Sequence, residues 1–406
     1  TRIPKKVSAY EHAVNYNEAE LNDSPGRTSF TFSEADLARF SSPDWIDADM
    51  PGYLIRPSAM TQHNLGLSGG SENQRYFISM GYLKQNGIIR NTGYERINLR
   101  LNESINIGKK IRLDIRSALI PSKRTEPATV TYPGGPNSSL SSALSEAFRY
   151  GNDVPLFTPD GKWASVRSGV NALALSSEEG GRLVSNDMQL TGNASLKYNI
   201  VENLNFTFLY GLDYTQNKSK DFRRKMSLYS PFSEGVVDMA VKNNALSISN
   251  LSSNFRSVQM LLDYDVNLKS GNLSMLGGFT QESYLEESHS VGRSDFLTEN
   301  TQVINAGSTD RNLWTTSGTA ADWALRSFIG RASYSHKDRY ILEGSFRADG
   351  SSRFVPDLRW GFFPSLSAAW KISDEAFIKN IDAIDFFRLR SSWGKVGNQN
   401  VGFYPF

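Results

Sequence analysis

The segment from residue 189 to residue 214, QLTGNASLKYNIVENLNFTFLYGLDY, repeats its chemistry every two residues. Ahead of VEN, Leu190, Gly192, Ala194, Leu196 and Tyr198 hold one parity, while Thr191, Asn193, Ser195, Lys197 and Asn199 hold the other. After it, Leu204, Phe206, Phe208, Tyr210, Leu212 and Tyr214 alternate with Asn205, Thr207, Leu209, Gly211 and Asp213. Period two over such lengths predicts strands, and the short join between them predicts a hairpin. A sheet with one apolar face must turn that face to something other than water, and the rest of the chain decides what.

Composition removes several options. There is no Cys, so neither a disulfide framework nor a thiolate metal site is available. The four histidines, His12, His63, His289 and His336, are scattered and form no H-x-x-x-H pair. A formal net charge of +2 with no concentrated basic stretch argues against a nucleic-acid partner. No run approaches the roughly 18 apolar residues of a membrane helix. The opening TRIPKKVSAY has no Met and no basic-then-apolar leader, and the chain reads as an internal piece.

Residues 1 to 60 are rich in Pro, Asp, Ser and Asn and read as a loop region. SEADLARF predicts a short helix there, with Ser33 as cap and Asp36 three residues on. From residue 61 the alternation predicts twelve strands, at about 61–70, 75–86, 93–107, 111–120, 188–200, 203–217, 254–268, 271–286, 324–336, 339–349, 360–372 and 385–396. Their connections alternate in length. SENQ, GKK, VEN, SG and KD are tight, whereas 121–187, 218–253 and 287–323 are long and irregular. Short turns at one end and long loops at the other are the habit of an outer-membrane barrel, which a soluble sandwich has no reason to adopt.

The faces agree with that reading. Tyr76, Tyr198, Phe206, Tyr264, Tyr334, Tyr340 and Trp370 lie near the tight turns on the apolar parity, and Tyr82, Tyr210, Tyr214, Trp360 and Phe362 lie towards the loops, as two aromatic girdles would. The other parity carries Arg96, Asn98 and Arg100; Arg112, Asp114 and Arg116; Asp263, Asp265 and Asn267; and Arg331, Arg339, Glu343 and Arg347. Charges at mid-strand are costly against hydrocarbon and cheap against a hydrated lumen. The expected fold class is all-β, a transmembrane antiparallel β-barrel with lipid outside and a polar lumen inside.

Particular blocks then carry a family resemblance. HNLGLSGGSENQRYFISMGYLKQNGII (63–89) and YERINLRLN (94–102) resemble the early barrel of the SusC/RagA family of TonB-linked outer-membrane transporters of Bacteroidetes. FRADGSSRF (346–354), RWGFFPSLSAAWKISDEAF (359–377) and LRSSWGKVGNQNVGFY (389–404) resemble a second block of that family, and AYEHAVNYNEAELND (9–23) resembles its first large external loop. The resemblance implies a 22-stranded barrel of which residues 61–406 supply about twelve strands, with residues 1–60 as an extracellular loop region. It also implies a plug domain and a TonB box, neither of which is found in these residues. The implied partners are a SusD-like surface lipoprotein acting as a lid and the TonB complex, engaged through the N-terminal part. The implied cargo is an oligosaccharide or an oligopeptide. A non-transporting surface β-protein, such as an adhesin or binding module, and a passive porin are the alternatives.

No catalytic constellation is visible, so an enzyme is not expected, and neither a cofactor nor a resident metal is called for. GLSGG (66–70) lacks the spacing of a nucleophile elbow. DWIDAD (44–49) supplies three carboxylates without the EF-hand pattern and reads as a solvated acidic turn. For cargo, Tyr94 sits on the lumen parity beside Arg96, where a ring could stack and a guanidinium could bond hydroxyls or carboxylates; a bulge would instead return Tyr94 to the lipid girdle. Tyr132, Phe157 and Trp163 are loop aromatics that could touch cargo or the lid, or simply pack the loop. DGSSRF with Arg353 reads as a structured turn.

Overall fold

The computed structural model describes residues 6–128, 139–149, 151–166, 171–233, 235, 237–378, 384–399 and 401–402. Six strands open the sheet: β1 (Met60–Gly70), β2 (Gln74–Asn86), β3 (Gly93–Ile107), β4 (Ile111–Pro127), β5 (Gly181–Val201) and β6 (Leu204–Arg223). A two-stranded ribbon, β7 (Met226–Tyr229) and β8 (Val237–Val241), then stands apart in a loop. The sheet resumes with β9 (Ala245–Leu268), β10 (Gly271–Ser294), β11 (Trp314–His336), β12 (Tyr340–Ser351), β13 (Trp360–Lys371) and β14 (Arg388–Gly394). Each of the twelve pairs antiparallel with its neighbour in sequence, so the order is a pure up-and-down meander. β1 and β14 are its two edges among the described residues.

The register fixes two faces. Leu113, Leu196, Phe208, Met260, Phe279 and Phe328 stand directly opposite one another from β4 to β11. One step along each strand, Asp114, Ser195, Leu209, Gln259, Thr280 and Ser327 form the next row on the opposite face. On the apolar face Leu65 is 72% exposed, Leu342 61% and Trp393 63%, far beyond what a water-facing sheet would leave uncovered. The rings there stack across strands: Tyr340 on Trp370 at 6.3 Å near the tight turns, Phe328 on Trp360 at 6.0 Å towards the loops.

All twelve strands expected from the alternation are present, but six run longer than expected, and always at the long-loop end. β4 continues to Pro127, β5 starts at Gly181, β6 ends at Arg223, β9 starts at Ala245, β10 ends at Ser294 and β11 starts at Trp314. Added stretches such as KSKD (218–221) and TTSGTAAD (315–322) are polar or small on both faces, so they carry no period-two signal. Their ladders persist because each neighbour is extended alongside them. A strand of 24 residues reaches roughly 80 Å at about 3.4 Å per residue. Even tilted by about 45°, it rises more than twice the ~25 Å apolar band of an outer-membrane barrel.

The tight turns use the backbone such turns need. Lys337 and Asp338 both take positive φ, 49° and 56°, as a type I′ turn requires. One connection at this end departs from the expectation. β13 and β14 are separated by sixteen residues rather than a tight turn, and the described stretch 372–378 is held where Tyr340 Oη and Trp370 Nε1 both donate to Glu375 Oε1 at 2.6 and 3.1 Å. Arg339 stands in the β11–β12 turn, not in a ladder, and pairs with Glu375 at 3.5 Å.

Helices gather at the long-loop end: α1 (Ala9–Asp23), α2 (Glu34–Phe40), α3 (Met50–Leu54), α4 (Ser139–Arg149) and α5 (Ala172–Leu175). The predicted helix at SEADLARF is α2, and Ser33 and Asp36 form its reciprocal capping box. The largest buried apolar cluster among the described residues lies here, where Met50 and Leu54 meet Ala143, Ala147, Val154 and Leu173. Chain entry to the sheet is pinned to the same end, since Arg56 N donates to Ile88 O at 2.8 Å and Arg90 N to Leu54 O at 3.1 Å.

Candidate functional site

The polar face of the sheet is a wall of paired charges. Arg112 grips Asp114 with two bonds, of 2.8 and 3.0 Å, and also donates to Ser104 Oγ at 3.1 Å. Arg331 meets Glu343 at 2.6 Å. Arg347 donates to Asp349 Oδ1 at 2.6 Å and to Ser327 Oγ at 2.9 Å. These pairs stay largely exposed, so each adds little stability. Their effect is to line one side of the sheet with hydrogen-bonding groups of both signs.

Tyr94 and Arg96 lie on this polar face. The β2–β3 register runs without a shift from Gln74 opposite Ile105 to Asn86 opposite Gly93, so no bulge returns Tyr94 to the apolar side. On β4, Arg124 stands opposite Tyr94 and Ser122 opposite Arg96. The ladder between β3 and β4 lapses beside Pro121, which has no amide hydrogen to give. Arg96 Nε is buried with no hydrogen-bond partner among the described residues. A buried guanidinium donor left open is uncommon and invites an incoming acceptor.

Phe157 and Trp163 lie in the loop between β4 and β5, where α4 and α5 also sit. They meet at 4.5 Å between centroids, and Tyr53 closes the group at 5.9 Å from Phe157 and 5.7 Å from Trp163. Trp163 is only 7% exposed and its indole donates to Glu179 Oε2 at 2.9 Å, so its surface and its donor are both used inside the loop. Phe157 is 38% exposed and offers its ring outward. Burial raises the Tyr53 hydroxyl above its ordinary pKa, against the opposing pull of Arg90, whose guanidinium covers its ring at 4.8 Å. Tyr132 lies outside the described residues.

The acidic turn at 44–49 caps helices. Asp47 Oδ1 accepts the Ala9 amide at 2.8 Å and Asp49 Oδ1 accepts Gly52 N at 2.9 Å, each at the start of a helix. Asn91, with φ of 60°, is a further fastening point: its amide donates to the carbonyls of Ser176, Ser177 and Gly181 at 3.2 to 3.3 Å, tying the β2–β3 connection to the start of β5.

Sequence reasoning missed one group on the polar face. Asp213, Phe255, Tyr284 and Trp323 stand directly opposite one another on β6, β9, β10 and β11. Each was legible singly as a residue on the polar parity. Their adjacency was not, because it depends on registers between segments tens of residues apart.

Comparison with known proteins follows the same lines. No family model matches the chain. The TonB-dependent receptor SusC of Bacteroides thetaiotaomicron is 25% identical over 91% of the chain and 36% of its own length. The TonB-dependent receptor P3 of Formosa agariphila is 25% identical over 92% of the chain and 36% of its own length. Among solved structures, the RagAB peptide importer in its closed-closed state matches 98% of the chain and 42% of its own, with a TM-score of 0.70 at 20% identity, a likeness of fold. The chain thus spans between a third and a half of the length of these proteins. The twelve-stranded meander, with one apolar and one polar face, thus matches part of the barrel of the RagAB importer, and the chain is similar along nine tenths of its length to TonB-dependent receptors of the SusC kind.

Proposed function

We propose that this chain forms part of the wall of an active importer that carries an oligosaccharide or an oligopeptide across the outer membrane. The observation that carries the reading is the division of one continuous sheet into an apolar face and a face of ordered charge pairs. A surface module that only binds would not need a hydrated inner wall more than a bilayer tall. In this reading residues 6–59 and the long loops face the cell exterior. A SusD-like lipoprotein closes over them as a lid, and the TonB complex supplies work drawn from the inner-membrane proton gradient. Tyr94, Arg96 and the outward ring of Phe157 contact cargo on its way in, while Trp163 stiffens the loop that holds Phe157.

The test is uptake of fluorescently labelled glycan and peptide pools by cells expressing the full-length receptor with its lipoprotein. Uptake should stop when an uncoupler collapses the proton gradient or when TonB is deleted. Uptake that persists under both treatments would identify a passive porin. Cell-surface binding without any entry would identify a binding module.

A further inference from the structure

On the lumen face, Trp323 is the hub of an aromatic patch that the ladder does not require. Its ring lies 6.0 Å from Tyr284, nearly parallel at 24°, and 6.2 Å from Phe255. The Arg353 guanidinium sits 5.2 Å from its centroid. That arginine arrives from the turn after β12, which is fastened to β11 by two bonds of 2.9 Å, Ser352 N to Ala324 O and Ala324 N to Ser352 Oγ. The DGSSRF turn is therefore built, and it delivers a cation to an aromatic face.

The surroundings are polar. Tyr284 Oη donates to Glu286 Oε2 at 2.6 Å. Asp213 stands opposite Phe255, and Glu282 lies on the same face one step nearer the tight turns. Phe255, Tyr284 and Trp323 all remain partly exposed. Each is 13 residues from the tight-turn end of its strand. That is roughly 43 Å along the strand and about 30 Å of height at a tilt near 45°, just above the ~25 Å apolar band. The patch thus sits where the lumen leaves the membrane and opens towards the long loops.

We infer that this patch is a cargo-contact station for neutral saccharide, with Trp323 and Tyr284 as its floor and Asp213, Glu286 and Arg353 as its hydrogen-bonding rim. The inference rests on the import reading above. The C–H face of a pyranose packs on aromatic surface, and its vicinal hydroxyls bond planar carboxylates and guanidinium two at a time. A peptide held by strand addition would need a free strand edge to pair with. β9, β10 and β11 are paired on both sides and offer none.

The test uses the full-length receptor, with Trp323→Ala, Trp323→Phe and Asp213→Asn variants, on an array of plant, microbial and marine glycan fragments and on a tryptic digest of casein. The expected result is glycan binding that falls roughly tenfold or more in Trp323→Ala, partly returns in Trp323→Phe, and weakens in Asp213→Asn, with the melting temperature unchanged. Glycan binding unaffected by Trp323→Ala overturns the station, and so does an array without any Trp323-dependent glycan. Peptide binding lost in Trp323→Ala overturns the saccharide assignment. A lowered melting temperature with intact binding shows that the patch seats another part of the receptor instead. In all these cases gradient-driven uptake by the wild type still upholds the import reading, whereas its absence would fail that reading independently.

Discussion

The side chain of Glu146 on α4 accepts the backbone amide of Ala172 at 2.7 Å, joining α4 to the first residue of α5 within the β4–β5 loop. Burial pushes this carboxyl up to about 7, with the Ala172 bond and Arg149 pulling the other way. Its folded pKa therefore lies above the ordinary carboxylate value of 4.5. The loop core should be fully stabilised by the protonated side chain below about pH 4.5 and should lose that contribution as pH rises through about 7. Hydrogen exchange of α4 and α5, corrected for intrinsic rates, should show weaker protection at pH 8 than at pH 5. Glu146→Gln keeps an acceptor and cannot ionise, so it should remove this difference; an unchanged pH profile in that variant would refute the assignment.

The two faces of β5 should answer the same charge differently. Leu196 faces lipid beside Leu113 and Phe208, and Ser195 faces the lumen beside Asp114 and Leu209. Leu196→Arg should cost about 2 to 4 kcal/mol near the bilayer midplane, less towards an interface. Ser195→Arg should cost much less. Denaturant titration of full-length receptor refolded into bilayers measures both, and equal penalties would contradict the assigned faces.

Gly181 begins β5 at φ of 111°, and a Cβ there would overlap the Phe222 carbonyl oxygen. Gly181→Ala should destabilise the loop anchor by roughly 1 to 3 kcal/mol from backbone strain alone, before any clash. Protease sensitivity within residues 151–166 and 171–180 should rise while the sheet resists as before. Sensitivity equal to that of the wild type would show that the anchor lies elsewhere.

Phe157 and Trp163 are neighbours with separable roles. Trp163→Ala empties a buried site and should cost the loop about 3 to 5 kcal/mol, seen as lost exchange protection around α5. Phe157→Ala should spare that protection and reduce cargo capture. The reverse pattern would exchange the two assignments.

Topology can be read on intact cells. Protease should reach the loops 224–244 and 295–313 unless a partner shields them, and should not reach the GKK or VEN turns. Cleavage confined to those turns would invert the barrel.

The alternation around VEN and its repeats determined the twelve strands, their two faces and the end that carries the tight turns. It could do so because period two is written in adjacent residues, and lipid and lumen impose opposite chemistry on them. The same rule explains what stayed hidden. Beyond the membrane neither face of β10 and β11 has lipid to meet, so the pattern that located these strands fades while their hydrogen bonds continue. The stretch 372–378 after β13 is shaped by Glu375 gathering Tyr340, Trp370 and Arg339, a meeting of residues from three segments. The loop core of Met50, Leu54, Ala143 and Leu173 draws on segments more than a hundred residues apart. Only the folded registers set Phe255, Tyr284 and Trp323 side by side and brought Arg353 onto them. Those contacts are non-local, and their partners are chosen by the accumulated pairing of neighbouring strands, which no single stretch of sequence contains.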